Sequence, residues 1–327
     1  MIGVITGTGS WLPEQIVDND DLARIMDTND EWIRERTGIV KRRIIKEEST
    51  VSMATGAALR ALEDAGVAAE ELDMLLVSTV SSDVLLPSTA CEVQKNIGAT
   101  NAVCFDINAA CTGFLFALNT AQAYFHAGLV KKVLLIGAES LSTLVDWSDR
   151  GTAILFGDGA GAAVLEAAEG ELLPMVMHSD GARGEALTCK SPFAVRKSPL
   201  TVANMMKAVE KEDYVGMNGQ EVFRFAVKRV PECVEELLDK CGKTTEDVDY
   251  FILHQANRRI VESIAKRLKT DISKFPMNLM EYGNTSSASI PILLDGLNRK
   301  GTLKRGMKLV IAGFGAGLSW GAAYMEW

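Results

Sequence analysis

Apolar residues along this chain follow two alternating rhythms. Short, nearly continuous apolar runs at Met74–Val77, Val103–Ile107, Val133–Ile136 and Tyr250–Leu253 have the length and continuity of strands covered on both faces. Between them apolar residues recur at helical spacing, as in Phe114, Leu115, Leu118, Ala121 and Phe125. Strands alternating with helices predict a layered α/β architecture.

The rhythm repeats. At a constant offset of 176 residues, Ala69–Val77 falls on Thr245–Leu253, Lys132–Gly137 on Lys308–Gly313, and the helix-ending Gly66 on Gly242. The same offset places Asn108 on Asn284 and Cys111 on Ser287. Each half is expected to run helix, buried strand, second strand, helix, third strand. Two duplicated halves, 1–170 and 171–327, should pack as one body, with a soft boundary near 167–175. The segment from about 178 to 218, with Gly181, Gly184, Pro192, Pro199 and Gly216, lacks periodicity and predicts a long excursion from the core.

Polar residues at the ends of the apolar runs carry the candidate chemistry. Cys111, in Asp106-Ile107-Asn108-Ala109-Ala110-Cys111-Thr112-Gly113-Phe114, lies at the predicted strand-to-helix turn. Unpaired N–H groups and the helix dipole there favour a thiolate, and a thiolate is a nucleophile. Taken alone, a cysteine among apolar residues is more often a small buried hydrophobe. His254 ends the Tyr250–Leu253 run, where strands of such folds face a ligand crevice; a lone histidine there is equally a satisfied structural residue. Asn284, in Tyr282-Gly283-Asn284-Thr285-Ser286, occupies by the repeat the turn equivalent to the one before Cys111. It is either a turn or cap residue, or a polar group converging with Cys111 and His254. Gly313-Phe314-Gly315-Ala316-Gly317 is either an oxyanion-binding run of N–H groups or a tight turn. His126 reads as structural or exposed, and His178 has no supporting pattern.

Composition narrows the class. With 47% hydrophobic and 24% charged residues in 327, the chain reads as a globular protein with a large core. No run approaches the ~18 apolar residues of a membrane span, and Met1–Pro13 lacks the basic region of a signal peptide. Cysteines at 91, 104, 111, 189, 233 and 241 form neither a C-x-x-C pair nor a zinc pattern, so reduced thiols in a cytoplasm and no bound metal are expected. A net charge of −9 argues against nucleic-acid binding. Gly157-Asp158-Gly159-Ala160-Gly161 leads into an apolar strand-like run rather than a phosphate-binding helix.

Taken together, the chain resembles the thiolase-superfamily condensing enzymes, closest to β-ketoacyl-acyl-carrier-protein synthase III. The carriers are Asp27-Thr28-Asn29-Asp30-Glu31-Trp32-Ile33 with Arg36-Thr37-Gly38-Ile39, the Cys111 turn, Asp149-Arg150-Gly151-Thr152, Phe156–Ala162, His254-Gln255-Ala256-Asn257 and Gly283-Asn284-Thr285-Ser286. The resemblance implies a thiolase-like five-layered α/β/α/β/α fold and a homodimer. It implies that Cys111 takes an acyl group from acyl-CoA. His254 and Asn284 would then stabilise the enolate formed by decarboxylation of malonyl-acyl-carrier protein. It assigns the oxyanion hole to the N–H groups of Cys111 and Ala316. It assigns CoA binding to Trp32, Arg36, Thr37, Arg150 and Asn257, and the acyl pocket to Leu86, Phe156 and Phe314. CoA thioesters and phosphopantetheine are substrates, and no cofactor is implied. An acidic carrier protein is expected to dock on Arg224 and Lys228, four apart on one helix, and on Arg259 and Lys266, seven apart on another.

Relatives differ at testable positions. A thiolase needs a second cysteine in its C-terminal glycine turn, and none follows Cys241. Elongating ketosynthases carry histidine where Asn284 stands. Hydroxymethylglutaryl-CoA synthase needs a carboxylate base, and no residue is a convincing candidate, with Glu139 left open. A secondary-metabolism condensing enzyme of the same fold, a cysteine hydrolase and a non-enzymatic relative are the remaining alternatives. Two departures from the family pattern are Ala316, where a third glycine is usual, and Leu86, where relatives carry phenylalanine. The 185–215 excursion is also longer than usual. Primer length is therefore left open.

Overall fold

The computed structural model describes residues 1–171, 174–190 and 213–327. Most of the 185–215 excursion lies outside the described residues; at its neck Leu187–Thr188 pairs antiparallel with Gly216–Met217.

Two sheets form. The first orders its strands Ile2–Trp11, Gly159–Ala168, Lys132–Glu139, Met74–Ser78, Val103–Ile107. The second orders them Met175–Ser179, Ser319–Glu326, Lys308–Gly315, Tyr250–Leu253. Read in these orders the first four strands correspond, with two antiparallel pairings followed by a parallel one in each sheet.

The duplication extends to single backbone details. Gly66 and Gly242 both end their helices in the left-handed region, at φ 65° and 62°. The Asp73 carboxylate accepts from Lys132 N, and the Asp249 carboxylate accepts from Lys308 N, tying each strand to its neighbour in the same way. The fifth strand breaks the correspondence. Where the offset predicts a partner for Val103–Ile107, the chain makes the short helix Leu279–Tyr282. That stretch has no β-branched run. It docks instead on the N-terminal half, where Met280 O accepts from Val40 N and Glu281 pairs with Lys41 at 2.7 Å.

Helices fill three layers. Thr50–Ala65 and Thr89–Ile97 set Met53, Ala57, Ala61 and Val93 against Leu75, Val77, Leu134 and Ile136 on the outer face of the first sheet. Between the sheets, Gly113–His126 and Ser289–Arg299 pack Phe114, Leu115, Leu118, Ile290 and Leu293 onto Leu76 and Leu135 of one sheet and Ile252 and Ile311 of the other. Gly219–Cys241 and Arg258–Arg267 cover the second sheet with Phe225, Val234, Leu237 and Ile264. This is the five-layered α/β/α/β/α arrangement. Successive strand residues such as Leu75 and Leu76 face opposite layers, as the pleat requires. Each buried Leu, Ile, Val or Phe contributes about 1.5–3 kcal/mol.

Local chemistry sets the element ends. Ser49 caps Thr50–Ala65 through a capping box with Ser52, and the Asn218 side chain caps Gly219–Cys241. Pro231 sits inside the latter helix and leaves the Val227 carbonyl without its usual N–H partner. Arg267 of the neighbouring helix fills the gap, donating from Nη1 to Val227 O at 3.1 Å. Among the described residues no helix is long and apolar enough to cross a membrane.

Candidate active site

The strand Val103–Ile107 runs into a 3₁₀ turn, Ala110–Thr112, that opens the Gly113–His126 helix. Ala110 takes φ 46°, a left-handed conformation that turns the chain sharply and leaves Cys111 8% exposed. Its counterpart at the same offset, Ser286, has φ 50° in the turn Ser286–Ala288. The two turns face each other across the molecular centre. Thr112 Oγ1 is 2.6 Å from Ser319 Oγ, which joins the cysteine turn to the strand after the glycine-rich turn. The backbone of Gly315 presses on the cysteine itself: a Cβ there would stand 2.8 Å from Cys111 N. Gly315 is thus required by close approach. Ala316 follows it directly.

The thiolate expectation needs correction for the free protein. Burial pushes the Cys111 thiol up to about 12, outweighing the hydrogen bond from Ser286 and its own backbone amide; buried Glu139 adds to the rise. Desolvation wins because the turn lies under two packed halves rather than at an open helix end.

His254 is buried at the end of Tyr250–Leu253, with its N–H bonded to Ala312 O at 2.9 Å. Nδ1 lies 2.7 Å from Ser289 Oγ, and the ring meets Phe314 edge-on at 5.4 Å. Burial pulls its pKa down to about 3, so the imidazole is neutral at physiological pH. Asn284 is held by its own backbone: its N–H donates to Leu155 O at 2.8 Å and its carbonyl accepts from Gly157 N at 3.0 Å. Its Oδ1 accepts from Ser286 N at 2.9 Å, which commits the oxygen and leaves the Nδ2 hydrogens for other acceptors.

Cys111, His254 and Asn284 line one cavity of about 890 Å³. Phe156 and Phe314 are in its wall, and Trp32, Arg36, Thr37, Asn257, Arg224 and Arg259 line it farther along. The arrangement presents a thiol and two neutral polar side chains to a single apolar-walled space.

The other expected positions separate. Trp32 is flanked by two guanidinium groups, Arg36 at 4.5 Å and Arg150 at 4.9 Å from its ring centre. Arg150 also donates to Asp27 O at 2.8 Å. Thr37 spends its hydroxyl on Ile33 O and Ile39 N and offers the cavity little but its methyl. Asn257 donates to Arg36 O at 2.9 Å and caps the Arg258–Arg267 helix through Arg259 N at 2.8 Å, so it joins the two walls as well as lining them. Arg224 and Lys228 are exposed on one helix, Arg259 and Lys266 on the adjoining one. Leu86 does not reach this cavity. It is 84% exposed at a loop tip, because Val84, Leu85 and Leu86 find no apolar surface to bury against within the chain.

Glu139, the carboxylate left open as a base, is fully buried and does not line the cavity. It accepts from Ser81 Oγ at 2.6 Å and Val80 N at 3.1 Å and lies 2.8 Å from Ser287 Oγ. Burial raises its pKa to about 7. The glycines of Gly157–Gly161 serve packing: a Cβ on Gly157 would stand 2.2 Å from Tyr282 O, and one on Gly161 2.6 Å from Ile292 N. Asp158 between them accepts from Ile45 N and Ser142. The sequence did not point to Leu155, Leu187, Met217 or Leu318, which line the cavity, nor to Ser289 against the histidine. No local pattern marks the four apolar residues. Ser289 was traceable only as the repeat equivalent of Gly113.

Two family models match: the 3-oxoacyl-[acyl-carrier-protein] synthase III model over residues 105–181 and its C-terminal companion over 238–327. The chain is 47% identical over 324 residues to a β-ketoacyl-[acyl-carrier-protein] synthase III of Clostridium acetobutylicum, covering 99% of this chain and 98% of that one. Among solved structures, the 3-oxoacyl-[acyl-carrier-protein] synthase III of Aquifex aeolicus superposes with a TM-score of 0.91 at 41% identity, covering 99% and 100% of the two chains. The priming β-ketosynthase of the R1128 polyketide pathway also superposes at 0.91, with 35% identity over 99% and 96%.

Proposed function

The chain belongs to the 3-oxoacyl-[acyl-carrier-protein] synthase III family, and we propose that it condenses an acyl-CoA primer with malonyl-acyl-carrier protein to begin fatty acid synthesis. One observation carries this reading: a cysteine, a neutral histidine and an oriented asparagine amide share one cavity.

Cys111 Sγ attacks the acyl-CoA carbonyl. The S–C bond to CoA breaks, CoA leaves as the thiol with the proton that Cys111 loses, and acyl-Cys111 remains. The N–H groups of Cys111 and Ala316 stabilise the oxyanion of this step. Malonyl-carrier protein then presents its thioester carbonyl to His254 and Asn284. Loss of CO₂ leaves an enolate whose oxygen accepts from both. A neutral imidazole and an amide are weak acids, so they hold the negative charge without quenching it. The enolate carbon attacks the acyl-Cys111 carbonyl, the S–C bond to Cys111 breaks, the β-ketoacyl thioester departs on the carrier, and the Cys111 thiolate takes a proton from solvent to restore the thiol.

Trp32 and Arg150 bind the CoA adenine by stacking and cation–π contact, the purine displacing a guanidinium that now rests 4.9 Å from the Trp32 ring centre. Arg224, Lys228, Arg259 and Lys266 form the face for the acidic carrier protein. The reaction uses no resident cofactor. All six cysteines are free thiols, the state that a cytoplasm maintains. The protein works as a homodimer. In support, Val103–Ile107 is an edge strand without an outer neighbour among the described residues, with Val103 63% exposed, and Leu85 and Leu86 are 68% and 84% exposed.

The test combines mass spectrometry with product analysis. Incubation with an acyl-CoA should add one acyl mass to the wild type and none to Cys111→Ser, and malonyl-carrier protein should then discharge it as β-ketoacyl-carrier protein. An adduct that survives the substitution and tracks Cys91 or Cys104 would overturn the assignment. The likeness to a polyketide priming ketosynthase keeps a second reading, the same condensation in secondary metabolism. A panel of acyl-CoA primers separates the two.

A further inference from the structure

The histidine in the cavity has two ring nitrogens, and the chemistry above needs a hydrogen on the one facing substrate. Ser289, the first residue of the Ser289–Arg299 helix, lies behind the ring with its Oγ 2.7 Å from Nδ1. Both residues are buried, so no water competes for either partner. Two protonation patterns fit that distance alone: Nδ1–H donating to Oγ, or Oγ–H donating to Nδ1.

A second contact separates them. The backbone N–H of Gln255 points at the same oxygen from 3.3 Å and can only donate. Ser289 Oγ thus already accepts one hydrogen bond, and His254 Nδ1 at 2.7 Å is the acceptor within reach of its own proton. Oγ–H toward Nδ1 satisfies all three groups. Nδ1–H toward Oγ would leave the hydroxyl proton without an acceptor among the described residues. With the imidazole held neutral by burial, an accepting Nδ1 requires the hydrogen on Nε2.

The duplication gives the contact a structural origin. Ser289 is the repeat equivalent of Gly113, and His254 that of Ser78. In the N-terminal half a Cβ on Gly113 would fall 1.7 Å from Ser78 Oγ, so that copy has no room for a side chain. In the C-terminal half the same approach carries a hydroxyl aimed at the imidazole.

We propose that Ser289 is a positioning residue that locks His254 in the Nε2–H tautomer, making it a hydrogen-bond donor to the thioester oxygen and barring Nε2 from taking the Cys111 proton. This rests on the condensation reading given above. It pairs with Asn284, whose Oδ1 is committed to Ser286 N. Both donors of the decarboxylation step are therefore set from behind, one by a hydroxyl and one by a backbone amide.

The chain has three histidines, so protein labelled with nitrogen-15 at histidine gives resonances that a His254→Ala control assigns. The wild type should show a protonated Nε2 and an accepting Nδ1, unchanged from about pH 6 to about pH 8. Ser289→Ala should give a tautomer mixture, lower the condensation kcat about 10- to 100-fold and leave acylation by acyl-CoA within about twofold. A wild-type Nδ1–H tautomer would overturn the proposal even if the variant failed to fold. So would a folded Ser289→Ala protein with an unchanged tautomer, or one in which acylation fell as far as condensation. Wild-type protein that makes no β-ketoacyl product would instead count against the function, while the tautomer would still report on Ser289.

Discussion

Burial governs the charge of each ionisable group at the centre. For His254 the folded pKa is lowered from 6.5 to about 3, so the unfolded chain binds the extra proton between those values. This contribution to stability is complete above pH 6.5 and is lost as the pH falls toward 3. Condensation kinetics should therefore show no inflection near pH 6.5 from His254; a histidine-like inflection abolished by His254→Gln would contradict this. Glu139 runs the other way, its folded pKa raised from 4.5 to about 7. The folded state holds the proton longer, so stability falls as the pH rises from 4.5 through 7. The geometry agrees with a protonated carboxyl: Ser287 Oγ lies within reach of both Ser78 O and Glu139 Oε1, at 2.9 and 2.8 Å, but has one hydrogen to give. A protonated Glu139 donates to Ser287, which then donates to Ser78 O. Glu139→Gln should remove this loss, leaving the variant more stable than the wild type by roughly 2–4 kcal/mol at alkaline pH, with little difference in acid. Chemical denaturation at several pH values checks it; parallel curves would rule it out.

At the scale of elements, the site depends on how turns and helices are joined. Gly315 lies against the Cys111 backbone with no room for a Cβ. Gly315→Ala should push the cysteine turn and the glycine-rich turn apart and cut acylation at least about 10-fold while most of the fold survives, which stopped-flow acylation and circular dichroism would reveal. The Pro231 gap is bridged by Arg267. Arg267→Leu should cost about 1 kcal/mol in unfolding free energy and leave turnover unchanged. The helix Arg258–Arg267 also carries the cavity-lining Arg259. Arg259→Glu should weaken turnover with malonyl-carrier protein most at low salt and spare acylation by acyl-CoA. Kinetics insensitive to both the substitution and the salt would remove this face as the docking site.

For the whole molecule, the two halves supply different parts of one site. The first sheet and its turn carry Cys111; the second sheet and the opposing turn carry His254 and Asn284. Among the described residues the fifth strand is an outer edge of the first sheet, and Leu85 and Leu86 are exposed. If that edge joins two copies, Val103→Lys with Leu86→Ser should convert a dimer to a monomer in sedimentation. A wild-type monomer would exclude the dimer outright.

Much of this was legible in residue order. Strand and helix periodicity, the duplicated offset and the motifs around Cys111, His254 and Asn284 are local patterns, and local patterns survive in one dimension. The offset went further than expected, reaching the matched left-handed residues Ala110 and Ser286. Three matters were decided only by the folded chain. Leu279–Tyr282 became a helix because its docking against Lys41 and Val40, far away in sequence, replaced a sheet neighbour it did not have. The Cys111 thiol is held protonated because desolvation depends on what two distant halves stack above it, not on its own turn. Ser289 and Gln255 define the histidine only where a helix start and a strand end meet, 35 and 34 residues apart along the chain in the contacts they make. Periodicity records which face of an element is apolar; it does not record which polar atom stands opposite, and that is set by tertiary distance alone.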